Sequence, residues 1–392
     1  MSKVRWIATL ALGSAVLSGC GGGSDNTIAG DSGAGAGTGT DGGVFTAVID
    51  ASAYDSRVYF NLSTGEVVAL TDAQAAASSD WHLALKRYDI QLNGGASGPG
   101  TVVAALGAGQ DDFYDGSGEP IANVFVNATA ESELEHLLAD FSAPASWSSD
   151  VVVSTLGDDW YVYDYTNGNI SANDANGYLV RSAEGDSYAR LQVTDFTFPT
   201  RTGEGVTSFE MAFDVQVAGS SQFTSAATFN GSIPPEGGEL CFDFDSNATV
   251  DCMASNSWDI VLGFSGRSLY LRTNSGPSGS GDGGAFGPFD WPELSAYTSA
   301  TTDPGGSNLT SLYAADSTGG VFVENSWYAY GVAGGHQLWP NYRVYLVDVD
   351  SNDGSSPVYA LQMTGYYGGS DGNGASGQPV IRWREVTLME GE

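Results

Sequence analysis

Histidine and cysteine are scarce in this chain: three of each in 392 residues. No His-Glu-x-x-His, Gly-x-Ser-x-Gly, phosphate-loop or Cys–His arrangement is present, so the motifs that would announce hydrolysis or phosphoryl transfer are missing. The chain reads as non-catalytic. Basic residues are also few, 13 Lys and Arg against 47 Asp and Glu, for a formal net charge of −34. A surface so negative repels nucleic acid and anionic lipid headgroups alike, which argues against both as partners. Long apolar runs are lacking too. The one near the N-terminus, Trp6 to Val16, is too short to span a bilayer, and no later run is longer.

That run follows Lys3 and Arg5 and ends at Leu17-Ser18-Gly19-Cys20, the three-part layout of a secretory leader. Leu-Ser-Gly-Cys resembles a bacterial lipobox. By that resemblance residues 1–19 are a signal peptide and Cys20 is the lipidated first residue of the mature protein, held by several acyl chains. Gly21, where an inner-membrane retention signal would place Asp, favours the outer membrane, with the protein facing the periplasm or the exterior. Residues 20–43 are almost wholly Gly, Ser, Ala, Thr, Asn and Asp, a flexible tether.

What the chain does have is repetition. Trp81-His82-Leu83-Ala84-Leu85, Trp160-Tyr161-Val162-Tyr163, Tyr178-Leu179-Val180 and the block from Tyr188 to Thr194 return in order. Their counterparts are Trp258-Asp259-Ile260-Val261-Leu262, Trp327-Tyr328-Ala329-Tyr330, Tyr345-Leu346-Val347 and the block from Tyr359 to Thr364. Four aromatic and β-branched blocks in matching order predict an all-β protein of two tandem, similar antiparallel domains with little helix, over 44–217 and 218–392.

Within this frame the hairpin from Val58 to Val68 is expected to turn at Thr64-Gly65, and its counterpart from Leu240 to Cys252 at Ser246-Asn247. That register puts Cys241 opposite Cys252, the only cysteines besides Cys20, and predicts a disulfide in an exported protein. Asp243, Asp245, Asn247 and Asp251, like Asp348, Asp350, Asn352 and Asp353, have a calcium-loop look but fall in turns without the bidentate Glu at position twelve. They read as Asx turns. One helix is expected, from Ala130 to Phe141, with Thr129 as N-cap and Leu134, Leu137, Leu138 and Phe141 on one face. His136 lies off that face, toward solvent or a ligand. The Gly-rich loops after Asn93 and Asn274 suit either mobile connectors or close approach of a flat ligand.

The run from Trp81 through Arg87-Tyr88-Asp89-Ile90-Gln91-Leu92-Asn93-Gly94-Gly95, the Trp160 and Tyr178 blocks, and the ending Ile381-Arg382-Trp383-Arg384 together resemble the HmuY family of haem-binding surface lipoproteins. The resemblance implies a β-domain that sequesters haem or a related porphyrin and passes it to an outer-membrane receptor. The family's type member uses two histidines. Here His82 faces Asp259 in the other copy and reads as a half-exposed strand residue, which leaves His136 and His336 as candidate haem ligands. Met211, Met253, Met363 and Met389, or Tyr313, Tyr366 and Tyr367, could ligate instead. The competing reading is a non-catalytic surface module whose aromatic residues contact protein or glycan.

Overall fold

The computed structural model describes residues 38–39, 43–266, 268–368 and 374–389; the leader, Cys20 and most of the tether lie outside them. The described chain is built of antiparallel strands with five helices of four to six residues.

Two cores organise it, and neither belongs to one half of the sequence. In the first, a six-stranded sheet runs in the order Thr38–Gly39, Phe45–Val48, Val380–Val386, Val358–Gly365, Val344–Asp348, Val103–Ala108. It packs on a four-stranded sheet ordered Glu66–Val68, Val58–Asn61, Leu83–Lys86, Asp89–Leu92, so that Phe60, Leu83 and Leu85 meet Tyr345, Leu361 and Trp383. Trp383 donates its indole N–H to the Leu62 carbonyl and Trp327 to that of Tyr88, both at 3.0 Å, binding the end of the chain to its beginning. In the second core, Ser225–Ile233, Val206–Gln216, Tyr188–Pro199, Asn169–Ala172 and Tyr161–Asp164 lie side by side, with Asn176–Arg181 joining Tyr188–Pro199 to Gly284–Asp290. Its facing sheet is ordered Ala248–Val250, Gly238–Asp243, Ile260–Ser265, Ser268–Thr273. Phe242, Ile260 and Leu262 fill the space against Trp160, Leu191 and Phe213.

The expectation of two closed folds over 44–217 and 218–392 is therefore corrected. The second core is inserted into the first, and the strand leading out, Val151–Val153, pairs with the strand leading back, Ser317–Gly319. Chain entropy supplies a reason. Were 44–217 self-contained, Phe45–Val48 would pair with Val206–Gln216, closing a loop of more than a hundred residues. Ser225–Ile233 reaches that same edge through a connection of a few residues and occupies it. Phe45–Val48 then takes the remaining equivalent edge, Val380–Val386.

The repeat survives in the details. Both four-stranded sheets have the same strand order. Asn93 donates its amide to the carbonyl of Trp81 and accepts from Gly100 N–H; Asn274 does the same with Trp258 and Gly281. Glycine is required at Gly98 and Gly279 by this packing, since a Cβ there would strike these Asn side chains. Cys241 and Cys252 are bonded, with Cα atoms 5.4 Å apart. Their strands are nevertheless paired two residues out of the expected register, Cys241 opposite Val250. The turn has four residues, 244–247, closed by the Asp243 carboxylate on Ser246 N–H and by left-handed Asn247. Asn61 and Gly65 repeat this in the first hairpin. The Asp348, Asp350 and Asp353 carboxylates likewise accept turn N–H groups, as Asx turns do. The expected long helix is only Leu134–Leu138, because Thr129 caps an isolated turn through Ser132. Leu138 is exposed rather than packed.

Candidate functional site

A cavity of about 370 Å³ opens in the first core. The ends of three segments form it: the chain after helix Ala122–Asn127, the short strand Leu338–Pro340, and the end of Val358–Gly365. Its walls hold five aromatic residues, Phe125, Trp339, Tyr342, Tyr366 and Tyr367, together with the polar Thr129, Glu131, Gln337 and Thr364. Two polar groups in this wall lack partners. The Trp339 indole N–H is buried without an acceptor, and the Tyr366 hydroxyl makes no hydrogen bond with the described residues although Tyr366 is only 4% exposed. Burial pushes the Tyr366 pKa up, and Arg87 beside it works in the opposite direction. Buried polar groups are nearly always paired, so the orphaned Trp339 N–H marks this wall as a candidate place to meet a ligand, with the unbonded Tyr366 hydroxyl beside it.

The surroundings hold this wall in place. Tyr342 has a left-handed backbone, φ +55°, unusual for an aromatic residue. Gln362 pins it by donating to its carbonyl at 2.6 Å. Gln362 in turn accepts from Arg382 at 2.6 Å. The Arg382 guanidinium, whose Nη2 has no partner, is pushed down to about 10 by burial and places a positive charge beneath Tyr342. Tyr367 is fixed by accepting the Leu338 N–H at 3.0 Å.

Neither candidate histidine lines the cavity, and the two are differently placed. His336 is exposed in the loop between Tyr328–Tyr330 and Leu338–Pro340, next in sequence to the wall residue Gln337. Its Nδ1 is 2.7 Å from the Tyr330 hydroxyl, which leaves Nε2 open. Such a hydrogen bond on the far ring nitrogen orients a ligating imidazole. His136 sits on helix Leu134–Leu138 with Nε2 3.2 Å from Glu133 and no place in the wall. His82 is corrected from half-exposed to buried. Its Nδ1 accepts the Leu62 N–H at 3.1 Å, and burial pushes its pKa down to about 4. Its counterpart Asp259 makes the same contact to Phe244 N–H at 2.9 Å. Tyr313 donates to the Ala300 carbonyl at 2.7 Å, and Met211 and Met363 are core residues, so none of the three faces a cavity. Trp339 and Tyr342 escaped the sequence reading. The one available signal was Leu338-Trp339-Pro340, whose lack of alternation breaks the strand pattern.

The second core has an aromatic cavity of about 630 Å³ lined by Tyr161, Tyr163, Ile170, Phe198 and Phe264, with no histidine in its wall. Glu184, Asp245 and Asp259 come close together elsewhere among the described residues. Both Asp259 oxygens are occupied by backbone N–H groups, and Asp245 is engaged by Ser187.

No curated protein matches the chain. A solved structure described as an HmuY-like haem-binding protein from Bacteroides vulgatus aligns with 11% identity over 88% of this chain and 93% of that chain, at a TM-score of 0.30. The HmuY protein family matches residues 53–211, which run from the first hairpin of the first core into the large sheet of the second. Over those residues the chain is similar to the HmuY family.

Proposed function

We propose that the protein binds haem or a related porphyrin in the aromatic cavity of the first core, as a lipid-anchored protein of the outer membrane that passes its cargo to an uptake receptor. The observation that carries this reading is the buried, unpartnered Trp339 N–H in a cavity wall that also holds Phe125, Tyr342, Tyr366 and Tyr367. A porphyrin needs an apolar slot, an axial donor for its iron and partners for its carboxylates. Of the wall residues, Tyr366 would supply the axial atom and Trp339 N–H would meet a carboxylate, with His336 in the adjoining loop as the alternative axial donor. The protein's part is to hold and shield the group; no reaction on it is required. His136, engaged by Glu133, is the weaker of the two histidine candidates.

Titration with ferric haemin tests this. Wild-type protein is expected to give a saturable, shifted Soret band. Tyr366→Phe and His336→Ala are each compared with wild type, and the variant that changes the band position identifies the axial donor. His136→Ala is expected to leave the spectrum unaltered. A flat titration of wild-type protein would sink the reading and leave the alternative, a surface module that contacts protein or glycan.

A further inference from the structure

Arg272 makes no hydrogen bond or ion pair within the described residues. Of the arginines described, Arg57, Arg87, Arg181, Arg190, Arg201, Arg343, Arg382 and Arg384 each donate to a carboxylate, amide or backbone carbonyl. Arg272 donates to nothing, and its Nε is buried without a partner. It is nonetheless carefully supported. Its guanidinium lies 3.9 Å above the Tyr270 ring, Tyr270 donates to Glu239 at 2.6 Å, and the ring occupies space that a side chain on the cross-strand residue Gly263 would fill. The other copy carries Lys86 in place of Gly263, Asp89 in place of Tyr270 and Gln91 in place of Arg272. In a chain of net charge −34, an unpaired cation on a stacked support is a local exception.

Arg272 lines a cleft of about 640 Å³. Residues 268–272 and 149–154 all contribute to its wall without a gap. Successive strand residues point to opposite faces, so unbroken runs mean that the cleft meets both strands edge-on. Ser268–Thr273 is an edge strand, and Val151–Val153 is paired on one side only, by Ser317–Gly319. The two edges are tied at one end, where the Ser154 hydroxyl donates to the Leu271 carbonyl at 2.5 Å, and they are separate beyond it. Val151 and Val153, 51% and 46% exposed, offer apolar surface beside the gap. In the other core the equivalent edge strand, Asp89–Leu92, is covered by helix Val321–Glu324, which has no counterpart after Val153.

We propose that this cleft takes an extended peptide segment of a partner by strand addition, with one carboxylate of that segment held by Arg272. Unpaired edges supply backbone hydrogen bonds for such a segment, the valines supply side-chain contacts, and the cation fixes register. Asp158 in the same wall selects against a second carboxylate.

Fluorescence anisotropy with a labelled acetyl-Thr-Val-Thr-Val-Glu amide tests this on the intact protein. The peptide is expected to bind saturably, with at least about tenfold weaker binding when Arg272→Gln installs the residue of the other copy, or when Gln replaces the peptide's Glu. N-methylation of alternate peptide nitrogens is expected to abolish binding. Three results would overturn the proposal: no binding of the parent peptide at millimolar concentration, binding unaffected by R272Q, or equal competition by free acetate, which would reduce the cleft to a simple anion site.

Discussion

At the scale of single residues the chain reuses one position for opposite chemistries. His82 and Asp259 occupy equivalent places, both buried and both accepting a backbone N–H from the neighbouring hairpin. Only an acceptor is required there, so neutral imidazole and carboxylate serve alike. Their proton linkages have opposite sign. Below its ordinary 6.5 the unfolded chain protonates His82, whereas the folded chain resists until about 4. Stability is therefore lost as pH falls through that window, by roughly 3 kcal/mol once protonation is complete. Asp150 and Asp259, pushed up to about 6 and about 8 by burial, act in the contrary sense. The contribution of His82 is isolated by comparing urea midpoints of wild type and His82→Gln from pH 7 to 4, where the variant is expected to lose less stability. Sequence reading placed His82 on a strand yet missed its burial, because a lone polar residue in an apolar run does not reveal that a turn N–H is waiting for it.

Short elements resolve differently according to how local their causes are. The Cys241–Cys252 bond could be anticipated because both cysteines flank one hairpin and nothing else competes for them. The register was missed by two residues because Asx closure by Asp243 and the left-handed Asn247 make a four-residue turn. Replacing both cysteines by Ser is expected to lower stability by about 2–3 kcal/mol, seen as an earlier urea midpoint, with the remaining hairpin contacts kept. The helices were mostly illegible. Asp72–Ala75 carries a complete capping box between Thr71 and Gln74, but a four-residue helix has no apolar period to read. The expected longer helix failed for the converse reason: a good apolar spacing from Leu134 to Phe141 is cut when the chain turns away after Leu138.

For the whole molecule, strand content and pairing within each block were legible from alternation, whereas the partition between cores was not. Sequence similarity says which strands are alike; it does not say which of two equivalent edges a strand will choose. Phe45–Val48 fits Val206–Gln216 and Val380–Val386 equally by pattern, and the short loop before Ser225–Ile233 decides the matter. Each half made alone then lacks partners for its large sheet. Polypeptides 44–217 and 218–392, produced separately, are expected to lack a cooperative thermal transition and to regain one on mixing at equal concentration. Two independent transitions matching those of the intact protein would contradict the interleaved arrangement.

Interleaving also fixes an order of events during synthesis. Residues 161–290 emerge together and can close the inserted core as soon as they are free. The opening strands, by contrast, must wait for Val380–Val386 near the far end of the chain. Until that last strand arrives, Phe60, Leu83 and Leu85 have no Trp383 to cover them. The earliest-made part of the described chain is thus the last to find shelter, and shortening the protein by a dozen residues at its tail would leave its beginning bare.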